Sequence, residues 1–203
     1  RHKYKVFFTG ICQRMTFAVR SKGHVSCFYH TKFSVIAVNS FSGKNVIGFA
    51  FSVMFMISQG TTAAVDAGTA GTVTYESFYK SVIAQSTVRI KGFLTTYSGG
   101  QLDFKLCEDF NPELINLARM ERVIDKYRDN ILGLKIRLSK GVVPDDKALD
   151  YLKRVIELAD ELDERLGTSL RVCVHTTNSP IPASELADCL RPGDIFCHCF
   201  QGA

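Results

Sequence analysis

The 203-residue sequence predicts an α/β fold in which strands and helices alternate, as in a parallel sheet covered on both faces or wrapped into a barrel. Three observations carry this. Short β-type runs and helical stretches take turns from about residue 58 to the end. His175 and His198 each fall near the end of a βα strand, with Lys135 on the strand one unit earlier. The composition, 46% apolar and 22% charged, is that of a globular domain and excludes collagen, coiled coil and wholesale disorder.

The elements follow in order. Gly60 to Gly68 is a small-residue strand ending in a turn, and Glu76 to Ala84 a short helix. Thr87 to Thr96 (TVRIKGFLTT) is the next strand. Asn111-Pro112 supplies an N-cap with proline at the first helical position, and the helix runs to about Arg128 with Leu114, Leu117, Val123, Ile124 and Tyr127 on one stripe. Asn130 to Ser139 (NILGLKIRLS) is a strand. Pro144-Asp145-Asp146 opens the clearest helix, in which Ala148, Leu149, Leu152, Val155, Ile156, Ala159 and Leu162 recur at three- and four-residue steps before Gly167 closes it. Arg171 to Thr177 is a strand, Pro182 to Leu190 a helix stopped by Arg191-Pro192-Gly193, and Asp194 to Phe200 the last strand. No glycine-rich phosphate loop appears, which removes the main support for a dinucleotide- or NTP-binding sheet.

Residues 1–57 form a separate basic, Phe-rich segment, and 58–203 the α/β domain. Residues 1–65 carry eight Lys/Arg and no Asp or Glu, whereas the rest carries 17 basic and all 20 acidic residues. That arm has the composition of a nucleic-acid or membrane surface, but without a clear amphipathic period. It is read instead as a fragment end, a divergent segment or a mis-translated stretch, so neither nucleic acid nor membrane is an expected partner. No apolar run reaches the ~18–20 residues of a membrane helix. Seven cysteines without C-x-x-C or an opening signal sequence suggest reduced thiols and a cytoplasmic location.

In NILGLKIRLS, strict alternation puts Leu132, Leu134, Ile136 and Leu138 on one face and Gly133, Lys135, Arg137 and Ser139 on the other. The leucine face would meet helices, leaving Lys135 and Arg137 in a barrel interior. A buried charged amine is costly, so it needs a carboxylate, a Schiff base or conversion to a carbamate; the alternative is an edge strand with a wet face. His175 shares a face with Cys173. His198 would face one way and Cys197 and Cys199 the other, outward against helices, so neither cysteine is counted as a metal ligand. Two imidazoles on successive strand ends suit Zn²⁺ or a similar ion.

The segments GTTAAVDAGTAG (60–71), GLKIRLSKGVV (133–143), VCVHTTNSP (172–180) and RPGDIFCHCFQGA (191–203) resemble the amidohydrolase superfamily, in particular its deacetylase-like and dihydroorotase-like metallohydrolases. The resemblance covers roughly residues 52–203. It implies a (β/α)₈ TIM barrel with a centre of two divalent metal ions, taken as Zn²⁺, of which about six strands are present here. It implies Lys135 as the carboxylated, bridging lysine, and His175 and His198 as metal ligands. The Asp66 segment becomes strand 2, near the site but without a ligand. Gly23-His24-Val25-Ser26-Cys27-Phe28 resembles the family's H-V-H-C-F on strand 1, making His24 a ligand, but Ser26 stands where a second His belongs, which weakens the second metal site.

The sequence ends at Ala203, after the expected strand 6, without the family's strand 8 Asp; the expectation is a fragment that is inactive alone, whose open edges favour a homo-oligomer. The activity implied is metal-dependent hydrolysis of an amide, ester or cyclic amide bond in a small-molecule substrate, through a metal-activated water. Arg137, on the same strand face as Lys135, is placed by geometry either to hold a substrate carboxylate or to form an interior ion pair with an acidic residue. The alternative is a catalytically inactive fragment or degenerate homologue of such an enzyme.

Overall fold

The computed structural model describes residues 61–101 and 114–199 with their side chains, together with Ile57 and three N-terminal strands in backbone only, at 17–21, 24–27 and 34–35. The strands are β1 (Phe17–Ser21), β2 (His24–Cys27), β3 (Ser34–Val35), β4 (Ala63–Asp66), β5 (Arg89–Thr95), β6 (Ile131–Arg137), β7 (Arg171–His175) and β8 (Ile195–Cys197). The helices are α1 (Tyr75–Phe78), running on as a π-helical turn over Tyr79–Ile83, then α2 (Leu117–Lys126), α3 (Ala148–Leu166) and α4 (Ala183–Cys189).

One sheet has the order β2-β1-β8-β7-β6-β5-β4-β3. From β3 to β8 every neighbour is parallel, and helices cross between successive strands from β4 onward. This is an incomplete (β/α) barrel, as the alternation predicts. The hairpin β1-β2 adds to β8 antiparallel. Only two residues separate β1 from β2, and so short a link permits antiparallel pairing alone, since parallel neighbours need a crossover of a dozen or more residues. The His24 strand therefore runs at the far edge of the sheet, rather than beside β4, where β3 lies.

The helix-facing side of the sheet is the main core. α3 lays Ala148, Leu152, Val155, Leu158, Ala159 and Leu162 against it, all fully buried, together with Leu134, Ile136 and Leu138 of the β6 segment. Each such leucine contributes about 1.5–3 kcal/mol of burial. Gly167 ends α3 in the left-handed conformation (φ 62°), and its N–H reaches the Asp163 carbonyl, as its position after the apolar stripe predicts. α2 begins later than the Asn111-Pro112 signal, which lies outside the described residues: Asn116 is its N-cap, accepting the Arg119 N–H at 2.9 Å. Met120, Ile124 and Tyr127 form its buried stripe, while Leu114 is left exposed.

Strict alternation fails in β6. Gly92 pairs with Ile131 but the next residue of β5, Phe93, pairs with Gly133, so β6 carries one extra residue. Leu132 consequently packs with Phe93 and Cys173 on the barrel-interior face, apart from Leu134 and Ile136. The bulge needs glycine, because a side-chain carbon at Gly133 would fall 1.8 Å from the Arg171 carbonyl oxygen.

Candidate functional site

Above the bulge the alternation resumes with Lys135 and Arg137 on the interior face. Lys135 is registered between Thr95 of β5 and Cys173 of β7, and Arg137 beside His175, itself registered with Cys197. Lys135 is only 3% exposed. Its carbonyl accepts two hydrogen bonds from Thr96, from the amide at 3.0 Å and the hydroxyl at 3.1 Å. Arg137 is half-buried and its Nε donates to the Ser139 hydroxyl at 3.4 Å.

His175 ends β7, with its Nε2 3.0 Å from the Thr177 hydroxyl. Burial, reinforced by His198, Lys135 and Arg137, pushes its proton affinity down to a pKa of about 2, so the ring is neutral across the physiological range. His198 lies one residue past β8 with φ 65°, a left-handed conformation rare outside glycine. That backbone turn suspends the strand's alternation. It brings the His198 ring edge-on to His175, with centroids 4.5 Å apart and planes at 74°.

The same break corrects the expected placement of Cys197, which faces inward with Cys173 and Phe93 rather than outward. The Cys173 and Cys197 sulfurs lie 3.5 Å apart, and this hydrogen bond together with burial raises the Cys197 thiol, keeping it protonated. Cys199 does pack toward the helices.

Sequence reasoning placed Asp66 near the site without giving it a part. Its carboxyl group is 1% exposed at the end of β4 and is pushed up to a pKa of about 6, chiefly by burial, against the lowering effect of its hydrogen bonds to Thr69 and Gly68 and of the Lys135 charge. The signal was present as the D-x-G-T turn after a small-residue strand.

The structure thus gathers Lys135, Arg137, His175 and His198 at one rim. Of His24 only the backbone is described; it opens β2, with β1, β8 and β7 between it and β6. Ser26 lies on the same strand, paired with Val19 of β1. Among the described residues no group of three or more His, Cys, Asp or Glu side chains could hold a metal ion. A cleft of about 290 Å³ lies elsewhere, where β6 begins and α3 ends, lined by residues that include Arg128, Leu132 and Thr168.

The comparisons with known proteins define the class: the chain belongs to the amidohydrolase superfamily. It is 31% identical to Deacetylase Atu3266 of Agrobacterium fabrum over 71% of its own length, and 30% identical to a deacetylase of Brucella anthropi over the same share. The chain spans about a third (34%) of the length of each of these curated relatives. Among solved structures it is similar to a dihydroorotase, with 29% identity and a TM-score of 0.59 over 66% of this chain and 41% of that one. An adenine deaminase shares the fold at 22% identity and a TM-score of 0.51, over 63% of this chain and 33% of that one. No protein-family model matches the chain.

Proposed function

We propose that the protein to which this chain belongs is a metal-dependent hydrolase of amide, ester or cyclic amide bonds in small molecules, of the deacetylase kind. The observation that carries the reading is the meeting of Lys135, His175 and His198 at the C-terminal rim of one parallel sheet, where (β/α) barrels keep their chemistry. The names of the relatives support the same class of reaction.

The donor chemistry fits a divalent ion. His175 is held neutral by its surroundings, the only form in which an imidazole ligates, and its ring meets that of His198 in a mostly buried setting. The two imidazoles need a third donor. Lys135 supplies one if CO₂ converts its amine to a carbamate, which also exchanges a costly buried cation for an anionic ligand. A divalent metal ion held by these three residues would supply a water acidic enough to be hydroxide near neutral pH, and a Lewis acid for the substrate carbonyl. The chain's own part is to exclude water with Phe93, Cys173 and Cys197 beneath the rim, and to offer the Arg137 guanidinium to a substrate carboxylate in a two-pronged contact. A cytoplasmic location is part of this reading; among the described residues no helix is long and apolar enough to cross a membrane. So is a homo-oligomer.

The test is metal analysis together with Lys135→Ala in the full-length protein. A competent centre retains close to two ions per chain, and the substitution abolishes hydrolysis with partial rescue by short carboxylic acids that replace the carbamate. Full activity in Lys135→Ala refutes the reading. The second reading, a degenerate homologue without activity, is favoured by one feature, Ser26 in the place of a histidine. It predicts far fewer ions, and a rise in metal content when histidine is restored at position 26.

A further inference from the structure

The turn after β4 lies against the stem of Lys135. Asp66 Oδ2 accepts the N–H groups of Gly68 at 3.1 Å and Thr69 at 2.8 Å, while Oδ1 accepts the Thr69 hydroxyl at 2.5 Å. These bonds close a tight turn in which Gly68 takes φ +100°, a conformation suited to glycine. The bare Cα of Gly68 lies against the lysine stem: a side-chain carbon there would stand 2.5, 2.7 and 2.9 Å from Lys135 Cβ, Cγ and Cδ. Beyond the turn the backbone is pinned to the β5 end, with the Thr95 N–H donating to the Ala70 carbonyl at 3.0 Å and the Gln101 N–H to the Thr69 carbonyl at 2.7 Å. From the strand side, Thr96 grips the Lys135 carbonyl.

A lysine side chain has about 2 kcal/mol of rotamer entropy to lose on being fixed. Here its first three carbons meet a wall whose position is set by one buried carboxyl group. We propose that Asp66 is a positioning residue for Lys135: by closing the 66–69 turn it presses Gly68 onto the lysine stem and leaves the amine only the direction toward His175 and His198. The Coulomb effect of Lys135 on Asp66 is the smallest of the influences on that carboxyl, so the role is steric and hydrogen-bonded rather than that of an ion-pair partner. The inference depends on the proposed function only for what the lysine amine is used for.

The experiment is competitive acetylation of the full-length protein with an amine-reactive succinimidyl ester, read at each lysine by peptide mass spectrometry. In the parent protein Lys135 labels at least tenfold more slowly than the exposed Lys126. Asp66→Ala raises labelling at Lys135 about tenfold without changing Lys126 or Lys153, and Asp66→Asn, whose amide oxygen still accepts both N–H groups, restores protection. Should Asp66→Ala fail to fold, Thr69→Val, which removes only the hydroxyl bond, raises Lys135 labelling at least twofold. Unchanged Lys135 labelling in a folded Asp66→Ala or Thr69→Val protein, or equal increases at all lysines, overturns the proposal. A ¹³C carbamate signal from labelled bicarbonate is followed in parallel. Its absence from the parent protein refutes the carbamate, while the labelling pattern still decides the role of Asp66.

Discussion

Asp66→Asn makes a sharp thermodynamic prediction. The carboxyl group moves from 3.8 to about 6 on folding, so the folded state holds its proton more tightly than the unfolded state. Stability is therefore lost as pH rises from near 4 through 6, and the full cost is present above pH 7. A shift of that size is worth about 3 kcal/mol at 1.36 kcal/mol per unit, falling to about 0.5 kcal/mol near pH 4. His175 works in the opposite sense. Its proton affinity is depressed on folding, so acidification below about pH 6.5 destabilises the protein, and the two effects partly cancel in the parent protein. Asparagine removes only the Asp66 effect while keeping acceptors for the Gly68 and Thr69 N–H groups. Urea unfolding of both proteins between pH 4 and pH 8 should show a stability gap in favour of asparagine that widens by about 2–2.5 kcal/mol as pH rises. Parallel curves, or a gap that narrows with rising pH, would show that burial does not raise the proton affinity of the carboxyl group and would refute the reasoning.

Further outcomes follow from other parts of the fold. Leu152→Ala opens a cavity under α3 at a fully buried position and should cost about 2–5 kcal/mol by urea unfolding. Gly167→Ala meets no neighbouring atom within 4 Å, so its cost is the left-handed backbone alone, about 1 kcal/mol, seen as a small drop in Tm. Arg191 donates from Nε and a terminal nitrogen to the buried Asp194, each at 3.1 Å, and to the Leu170 carbonyl at 3.1 Å. Arg191→Ala leaves that carboxylate with the Val172 and Arg191 N–H groups but without its counter-charge, and should cost about 3–5 kcal/mol, with Arg191→Ala/Asp194→Asn recovering part of the loss in a double-mutant cycle.

The legible parts of this fold are those governed by period and punctuation. The three- and four-residue repeat of α3 and its closing Gly167 fix that helix on both sides, and the apolar runs give β5, β6 and β7 within two residues at each end. The inward placement of Lys135 was legible because a lysine in an apolar strand calls for a reason. What escaped were departures from local rules. The extra residue at Gly133 turns Leu132 to the interior, and the left-handed His198 turns its own ring inward; both depend on contacts with neighbouring strands that a linear pattern does not contain. The part of Asp66 escaped because its value lies in backbone groups of the next three residues and in a lysine nearly seventy positions away.

The conformation of His198 sets two selective pressures against each other at a single codon. Glycine there would relax the chain and raise its resistance to heat, yet it would delete the imidazole that faces His175. Laboratory selection for thermal tolerance alone should therefore drift toward glycine at this position, while selection that also demands turnover should keep histidine and accept the softer strand end.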